Sequence, residues 1–334
     1  MSDAAVVVTN HNYGRFVADA VDSALAQTRP VDVVVVDDGS TDDSLSVLAG
    51  YEARVTLVAQ ANGGQASAFN AGFAATTAPV VFFLDGDDRL HPDAVEEVLA
   101  ALAARPDAVR VQFGLDFIDT AGRRRPGGLP EADRRLPEGD LRSRLVTNPD
   151  DIAWQPTSGN AFRASVLREL LPMPTEAYRI SADHYLSNLS ALHGPVLAID
   201  RGLASYRIHG DNADHRDGFD MDRGRDILRR TQVTHHHLIE RGRAMGLAMP
   251  ESPDGFRSLS QAALRLASVR TGPTAQHPIE GDGRWPALRA GLAAAGARAD
   301  MSAPRRMAAA AWIMALALVP RPVVPRVAAL GLTR

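Results

Sequence analysis

The sequence predicts an α/β protein in which a mostly parallel central sheet is flanked by helices and followed by a helical C-terminal extension. Three observations support this prediction. Strand and helix patterns alternate over the first third of the chain, the strand segments are apolar along their length, and the pattern from about Met221 onward is mostly helical. Strands that are apolar on both faces are typical of parallel sheets covered by helices on both sides. Ligands of such sheets bind beyond the carboxyl ends of the strands.

Five predicted strands alternate with four predicted helices between residues 4 and 119. The strands are 4–9, 31–36, 54–59, 79–84 and 109–119, and the helices between them are 16–25, 40–50, 63–76 and 91–104. The first helix is indicated by apolar residues at helical spacing. Ser40 or Thr41 can cap the second helix, two glycines lead into the third, and Pro92 lies in the first turn of the fourth.

The rest of the chain is predicted to contain an exposed connection, a mixed segment and a mainly helical end. Residues 120–150 are rich in Gly, Pro, Arg and acidic residues, which predicts an exposed loop. Helical stretches are predicted within 157–170 and 180–192, followed by a short strand over 195–200. The Pro- and Gly-rich residues 271–285 are predicted to interrupt the later helices.

The composition excludes several kinds of partner and site. The chain has 334 residues with a net charge of -4, which provides no general attraction to nucleic acid, so we expect no nucleic-acid partner. It has no cysteine, which excludes a disulfide framework and a cysteine-ligated metal site. The first residues contain neither a basic segment nor a long apolar run, so they do not resemble a secretory signal. We therefore expect a cytoplasmic protein.

Acidic residues follow two of the apolar strands. Asp37 and Asp38 end the second strand, and Asp85 and Asp87 follow the fourth. Two adjacent carboxylates need partners, which either a ligand N–H group or the turn and the next helix can supply. Asp85 and Asp87 can converge on Mg²⁺ or Mn²⁺, which prefer carboxylate and water oxygens, or they can cap a polar turn. Because both strands end in acids at the same edge, we favour a ligand site there.

Other features have a functional and an ordinary interpretation. Gly63 and Gly64 lead into a helix N-terminus, where N–H groups favour an anion, although their spacing matches neither a dinucleotide fingerprint nor a P-loop. Spacing alone predicts that Asp183, near a predicted helix, and His209, in a predicted loop, are ordinary surface residues. The histidines 235–237 point about 100° apart around a helix, so we interpret them as a surface feature.

Taken together and in order, these segments resemble glycosyltransferase family 2, whose members are inverting enzymes with the GT-A fold. The resemblance rests on VVVTNHNYGRFVADAVDSALAQT, VVVVDDGSTDDS, NGGQASAFNAG, FLDGDDRLHPDAV, TSGNAFRASVL, SADHYL and YRIHGDN, which lie between about residues 4 and 213. The DDGS segment followed by D-x-D at this distance is highly specific. The last third of the chain contributes nothing to the resemblance.

The resemblance implies the GT-A, or nucleotide-diphospho-sugar transferase, fold with a nucleotide site at the strand ends. The residues that it places along the nucleotide are Thr9, Asn10, Tyr13, Asp37, Asp38, Gly63, Gly64, Asn70 and Asp85. By this resemblance, either Asp37 or Asp38 accepts the N–H of a uracil ring, while the end of the first strand borders the base and the ribose.

The resemblance also implies a divalent cation, Mn²⁺ or Mg²⁺, and a general base. It assigns Asp85, Asp87 and His209 to the metal and Asp183 to the base. A carboxylate with an ordinary pKa near ~4 is ionised at neutral pH and can accept a proton within hydrogen-bond reach. The sequence departs from the family at Ala182, where many members have Glu, so an acid that helps to position the acceptor is missing.

With these residues, the resemblance implies an inverting transfer of a sugar from a nucleoside-diphosphate donor to a hydroxyl acceptor. We expect a UDP-sugar as donor and a saccharide or lipid-linked acceptor, in envelope or extracellular polysaccharide synthesis. The expected organisation is a nucleotide-sugar-binding part over 1–118, an acceptor-side part with the base over 119–215, and a mostly helical region over 216–334.

Two alternatives remain open from the sequence. One is a non-catalytic nucleotide-sugar-binding assembly protein with a degenerate site, although Asp85, Asp87 and Asp183 are retained. The other is a sugar-1-phosphate nucleotidyltransferase. That class needs a Gly-rich loop with basic residues after the first strand, where this chain has only Arg15.

One apolar run, Ala308 to Val319, stands out near the end of the chain, with arginines before and after it. It is well short of the ~20 residues that span a bilayer. As a helix with basic flanks, residues 305–326 can lie against an anionic membrane surface, on the inner face of the cell membrane. Alternatively, the helix packs on the protein's own core or in a dimer interface. A large exposed apolar patch would distinguish the two cases.

Overall fold

The structure is a computed structural model that describes residues 2–131, 134–210, 220–272, 276–298 and 301–332. Within these ranges the strands are β1 (Ala4–Asn10), β2 (Asp32–Asp38), β3 (Thr56–Gln60), β4 (Val80–Asp85), β5 (Arg89–Leu90), β6 (Arg110–Ile118), β7 (Arg124–Leu129), β8 (Asn160–Arg163) and β9 (Val196–Arg207). The helices are α1 (Gly14–Leu25), α2 (Ser44–Leu48), α3 (Gln65–Ala74), α4 (Ala94–Ala104), α5 (Arg142–Thr147), α6 (Ala164–Leu170), α7 (Ala182–His193), α8 (Met221–Ala244), α9 (Leu259–Thr271), α10 (Arg284–Ala297), α11 (Ala303–Leu318) and α12 (Val324–Leu332).

The strands form one sheet in the order β3-β2-β1-β4-β8-β6-β9-β5, with β7 paired to β6. The pairs among β1 to β4 are parallel, as is the pair of β6 and β9. β8 is antiparallel to both β4 and β6 and joins the two parallel parts. Because β1, β2 and β4 run in the same direction, their carboxyl ends meet at one edge. There Asn10 lies opposite Asp37, and Thr9 lies opposite Asp85.

The parallel strands form because they can bury apolar side chains on both faces. All seven residues of β1 are buried. Val6 and Val8 share an apolar cluster with α1, while Val7, which points to the opposite face of the strand, meets α3. A Cβ at Gly72 of α3 would lie 2.2 Å from Cγ1 of Val7, so the glycine allows α3 to approach the sheet closely. Helices therefore cover both faces, as the sequence predicts.

Besides the two-residue strand β5, the sequence-based prediction misses two longer strands. Residues 124–129 fall in the predicted loop 120–150, but they form β7, antiparallel to β6. Residues 160–163 fall in a predicted helical stretch, but they form β8, and the helix begins only at Ala164. β7 forms a hairpin with the strand just before it, whereas β8 is stabilised by pairing with the distant strands β4 and β6, which local periodicity does not reveal.

The protein forms two compact units. The first comprises Met1–Arg142 and Ala153–His215 and contains the sheet, and the second comprises Ser143–Ile152 and Arg216–Arg334. The two parts that we expected over 1–118 and 119–215 thus lie largely in a single unit.

The second unit is helical and has its own apolar cluster, formed by α9 to α12. Its buried members are Ala263, Leu266, Ala267, Ala287, Ile313, Leu316, Ala317, Val324 and Ala328. His235 of α8, which we expected on the surface, is buried instead. Its Nε2 lies 3.0 Å from Oδ1 of Asp150 and its ring packs against Phe256, because this first histidine of the triplet faces the interior of the unit. In the described ranges, no helix has both the length and the apolar character needed to cross a membrane.

Candidate active site

A pocket of about 510 Å³ opens in the first unit, at the edge of the sheet where β1, β2 and β4 end. The predicted site residues that belong to its wall are Thr9, Asn10, Tyr13, Asp38, Gly64, Asp85, Asp87 and Asp183. The other four, Asp37, Gly63, Asn70 and His209, lie outside this wall. The fold therefore brings two thirds of the predicted residues together around one space.

The end of β1 supplies the first part of the wall. Thr9 and Asn10 are the last residues of the strand, and Nδ2 of Asn10 donates a hydrogen bond to Oδ1 of Asp37 at 2.8 Å. Tyr13 directly precedes α1, and its ring meets the ring of His209 edge-on with centroids 5.6 Å apart. This hydrogen bond joins the ends of β1 and β2 through their side chains.

Asp37 and Asp38 are both buried, but they have different surroundings. The carboxylate of Asp37 accepts hydrogen bonds from the backbone N–H and the hydroxyl of Ser40, at 3.0 and 2.6 Å, besides the bond from Asn10. It therefore stabilises the turn after β2. Asp38 lies in the pocket wall. Of the two residues that we considered for base recognition, Asp38 is the one in position to meet a ligand.

The backbone N–H groups that open α3 have partners within the protein. The N–H of Gly63 donates to Oδ1 of Asp38 at 2.9 Å, and that of Gly64 donates to Oδ2 at 2.7 Å. The next two N–H groups, of Gln65 and Ala66, donate to backbone carbonyls in the segment before α7, at 2.9 and 3.1 Å. The anion at this helix N-terminus is therefore the carboxylate of Asp38, which corrects our expectation of an open anion site.

Gly64 occupies a position that other residues do not fit. Its φ is +85°, in the left-handed region that favours glycine. A Cβ at this position would lie 2.5 Å from the Cα of Arg179. The glycine thus allows the start of α3 to dock directly against the segment before α7.

We expect Gly64→Ala to lower the free energy of unfolding by about 2–4 kcal/mol, because the strained φ and the overpacking each cost on the order of 1–3 kcal/mol. Urea unfolding measures this change. Gly50→Ala is the matched control, since no atom lies within 4 Å of a Cβ at Gly50. Equal stability of the two variants would contradict a structural need for glycine at position 64.

Asp85, the last residue of β4, is surrounded by other carboxylates. Its Oδ1 accepts a hydrogen bond from Nε2 of Gln65 at 3.1 Å. Burial, followed by the charges of Asp87 and Asp183, raises the pKa of Asp85 to about 8, although hydrogen bonds from Gln65 and Thr157 act in the opposite direction. The fold therefore crowds the carboxyl groups of Asp85, Asp87 and Asp183 together at the end of β4, and the buried Asp85 holds its proton more tightly than an ordinary aspartate.

Asp87 is held by the end of β9 and the residues that follow it. Oδ2 of Asp87 lies 2.9 Å from Nε2 of His209, and both side chains are buried. The buried guanidinium of Arg207 donates from Nε to the backbone carbonyl of Asp87 at 2.6 Å. The ring of His209 also packs against Phe16, with centroids 5.1 Å apart. These contacts fix both the backbone and the carboxylate of Asp87.

The carboxylates at the end of β4 suit a cation that is shared with a ligand. In the ranges that the structure describes, no group of three or more His, Cys, Asp or Glu side chains is arranged to hold a metal ion. Mg²⁺, however, is usually held by one or two carboxylates together with water and substrate phosphates. Asp85 and Asp87 provide two carboxylates, and a bound cation would favour the ionised form of Asp85, against the burial and the neighbouring charges that raise its pKa.

Asp183 lies in the first turn of α7. Ser181, the residue just before the helix, has φ of +59°, so the chain turns sharply into the helix. The N–H of Ala182 donates to Oε1 of Gln65 at 2.8 Å. These features hold Asp183 in the pocket wall, where its charge contributes to the raised pKa of Asp85. Because Gln65 bonds to both Asp85 and Ala182, it links the end of β4 to the start of α7.

Sequence-based reasoning missed Gln65 and Arg179 as residues of the wall. Gln65 directly follows the two glycines, and that position is the signal that could have identified it. Arg179, whose guanidinium donates to Oδ1 of Asn62, belongs to no motif that we recognised. Asn70, which we expected along the nucleotide, instead uses both ends of its amide to bind the backbone of Met173, at 2.9 and 3.0 Å.

The wall combines groups that suit a ligand with both hydrogen-bond donors and negative charge. Asp38 can accept a hydrogen bond, and Arg179 carries a positive charge. Asp183 can accept a proton from a hydroxyl group that lies within hydrogen-bond reach. Such an arrangement suits the transfer of a group to a hydroxyl acceptor.

Comparison with known proteins agrees with this arrangement. The family model for glycosyl transferase family 2 matches residues 5–171. An uncharacterised glycosyltransferase of Nostoc sp. (strain PCC 7120) is 36% identical over 218 residues, which is 62% of this chain and 65% of that protein. The succinoglycan biosynthesis protein ExoU of Rhizobium meliloti is 36% identical over 121 residues, covering 35% of this chain and 32% of that protein. The chondroitin synthase of Escherichia coli is 38% identical over 221 residues, covering 62% of this chain and 29% of that protein. The matched parts thus span less than two thirds of each of these relatives.

Among solved structures, residues 1–349 of S. aureus TarS in complex with UDP-GlcNAc align with a TM-score of 0.58 at 14% sequence identity. The alignment covers 98% of this chain and 90% of the TarS chain. At this identity the likeness shows a shared fold and nothing about the ligand of this chain. Because nearly the whole chain is covered, the shared fold includes the C-terminal helices.

Proposed function

The chain belongs to glycosyltransferase family 2, and on that premise we propose that it is a metal-dependent, inverting enzyme that moves a sugar from a nucleoside-diphosphate donor to a hydroxyl acceptor. The match over residues 5–171 confirms the family resemblance that the motifs predict, and the likeness to TarS confirms the predicted fold class. Relatives that are a succinoglycan biosynthesis protein and a chondroitin synthase support a saccharide or lipid-linked acceptor in envelope or extracellular polysaccharide synthesis.

The observation that carries the proposal is the presence of Asp38, Asp85, Asp87 and Asp183 in the wall of one pocket. They come from β2, from β4 and the turn after it, and from α7, so they are far apart in the sequence. If each acid only capped its own turn or helix, there would be no reason for all four to face the same space. A nucleotide sugar with a divalent cation gives each of them a role.

The proposed donor site uses the ends of β1 and β2. Asp38 accepts a hydrogen bond from a base N–H, which uracil can provide, and Thr9, Asn10 and Tyr13 border the base and the ribose. Gly64 helps to orient Asp38, because its N–H donates to the carboxylate at 2.7 Å. Gly63 helps in the same way, because its N–H donates to the Asp38 carboxylate at 2.9 Å. In this proposal Asp37 and Asn70 act only indirectly, by holding the turn and the loop around the site.

The proposed diphosphate site uses the end of β4. Asp85 and Asp87 would hold Mn²⁺ or Mg²⁺, and His209, which lies outside the pocket wall but 2.9 Å from Oδ2 of Asp87, would orient that carboxylate. When bound, the cation supplies Lewis-acid stabilisation of the negative charge on the departing diphosphate. Among the described residues of the wall, Arg179 is the one arginine, and we assign it to the same developing charge.

Asp183 is proposed to accept the proton of the acceptor hydroxyl as its oxygen attacks the anomeric carbon. The bond between that carbon and the diphosphate oxygen breaks, and the diphosphate leaves with the electron pair. Attack on the face opposite to the leaving group inverts the anomeric configuration without a covalent enzyme intermediate. The missing acid at Ala182 leaves Asp183 as the acidic residue of this segment.

Two other functions are less well supported. A non-catalytic nucleotide-sugar-binding protein would not need Asp183 in the same wall as Asp85 and Asp87. A sugar-1-phosphate nucleotidyltransferase would need basic residues after β1 to bind its triphosphate. The only basic residue there, Arg15, lies with its guanidinium over the ring of Phe16, 4.5 Å from the ring centroid.

A donor screen tests the proposed function. We expect UDP with Mn²⁺ to raise the melting temperature more than other nucleoside diphosphates do, because Asp38 is proposed to accept the N–H of uracil. A ligand present at about 100 times its Kd stabilises the folded state by about 2.7 kcal/mol. Incubation with labelled UDP-sugars and saccharide acceptors then separates an enzyme from a binding protein, and release of pyrophosphate would reveal a nucleotidyltransferase. A product whose anomeric configuration is retained would contradict inversion, and the absence of any nucleotide-dependent shift would contradict the donor site.

A further inference from the structure

The C-terminal helices of the second unit expose an unusual number of large apolar side chains. Ten such side chains are exposed among the described residues, and seven of them lie between residues 285 and 330. These seven are Trp285, Leu292, Met307, Met314, Leu318, Val323 and Leu330. Scattered exposed apolar residues are ordinary, but their concentration in one segment marks an interaction surface.

α11 contributes most clearly, because it has two apolar faces. One face packs into the core of its unit through Leu316 and Ala317. The other face carries Met307, Met314 and Leu318, which are 71%, 42% and 61% exposed. Their spacing of seven and four residues places them along one line of the helix surface. No charged residue occurs between Met307 and Leu318, so this line, here called the α11 face, is apolar throughout.

The same part of the chain is strongly basic. Residues 284–334 contain eight arginines and one acidic residue, whereas the other 283 residues contain 28 arginines and 39 acidic residues. Arg305 precedes the α11 face and Arg321 follows it. Four of the arginines are exposed and have no acidic partner within the described residues, namely Arg289, Arg305, Arg321 and Arg326. The segment therefore carries positive charge that no acidic side chain in the described part of the chain pairs with directly.

We propose that the α11 face docks on an anionic lipid membrane. A helix with one apolar side and basic flanks can lie in the membrane interface, with its apolar side at the boundary between headgroups and acyl chains. The exposed arginines are then attracted to anionic headgroups. With 16 residues, α11 is shorter than the ~20 residues of a spanning helix, so the contact is peripheral.

A second copy of the chain is a poorer occupant of the α11 face. It would bring two arginine-rich segments together, and like charges at an interface repel each other. An anionic membrane instead supplies the opposite charge together with an apolar layer. The inference rests on the second unit and does not require the proposed function, although it would bring the enzyme to a lipid-linked acceptor.

Vesicle co-sedimentation of the full chain tests the proposal. One set of vesicles contains phosphatidylcholine alone, and the other contains about 30% phosphatidylglycerol, which gives the surface a negative potential. The test variant is Met307→Asp with Met314→Asp. The control is Met245→Asp at the end of α8, because Met245 is 43% exposed, almost the same as Met314 at 42%. Melting temperatures and UDP binding of each variant establish that it is folded.

We expect the wild type and Met245→Asp to pellet with anionic vesicles only, and NaCl at about 0.5 M to weaken binding by screening the arginines. The double variant should bind at least about tenfold more weakly, because its aspartates oppose both insertion and the surface charge. Failure of the wild type to pellet at low salt would overturn the proposal. So would competition by millimolar inorganic phosphate, which would indicate a phosphate site and not a lipid surface. If the wild type forms a dimer that does not bind vesicles, and the double variant no longer dimerises, the α11 face is assigned to a second copy of the chain.

Discussion

Asp183→Asn is expected to lower kcat for sugar transfer by about 10²–10⁴-fold, the range typical of a general base, while the affinity for the donor nucleotide changes little. Asparagine keeps the size of the side chain but cannot accept a proton from the acceptor hydroxyl. The position of Asp183 in the pocket wall, at the start of α7, places it to meet an acceptor. Product formation from a labelled donor measures kcat, and calorimetry with UDP and Mn²⁺ measures donor affinity.

Asp222→Asn is the matched control for this experiment. Asp222 also lies in the first turn of a helix, α8, but its side chain is 88% exposed and it is not part of the pocket wall. We expect wild-type activity from this control. Wild-type kcat in Asp183→Asn would refute the base assignment. A parallel loss of UDP affinity would instead assign Asp183 to the donor site.

Asp87→Ala is expected to remove most of the effect of Mn²⁺ on nucleoside-diphosphate affinity. With Mn²⁺ present, we expect UDP to bind the variant at least about tenfold more weakly than the wild type. The reason is that the cation loses one of its two carboxylate ligands in the variant. Without metal, the two proteins should bind UDP about equally. Titration calorimetry with Mn²⁺ and with a chelator measures the four affinities.

Asp88→Asn distinguishes loss of a ligand from a local disturbance of the fold. Asp88 is the next residue and is also buried, but its Oδ1 accepts the backbone N–H of Arg207 at 2.8 Å and it is not part of the pocket wall. Asparagine can keep this hydrogen bond, so Asp88→Asn should retain the response to Mn²⁺. If the wild type binds UDP equally with and without metal, the cation is not part of the donor site. If both variants lose the response, the effect of Asp87→Ala is structural.

The parallel part of the sheet and the family were predictable from the sequence because both are encoded locally. Continuous apolar runs specify strands that are buried on two faces, and helical spacing over 16–25 specifies the covering helix. The acids after β2 and β4 come together at one edge once the strands are parallel. These patterns occupy short stretches, so they can be read without knowing which distant residues pack against them.

The choice between Asp37 and Asp38 was not encoded locally. Successive side chains of a strand point to opposite faces, so the sequence indicates that the two carboxylates differ but not which one meets the pocket. The carboxylate of Asp37 accepts hydrogen bonds from Ser40 and Asn10, and that of Asp38 accepts one from Gly64 at the start of α3. Those partners come from other elements, and only the packing of the elements determines them.

The same reason explains the other residues and segments that the sequence left undecided. β8 forms where a helix was predicted because β4 and β6 supply its hydrogen bonds. Arg179 reaches the pocket wall because the segment before α7 docks on the start of α3. In α11 the apolar run allowed both a buried and an exposed interpretation, and the packed helix shows that Leu316 is buried while Met314 is exposed. A residue's own sequence neighbourhood specifies its chemistry, but its partners come from distant segments that tertiary packing brings into contact.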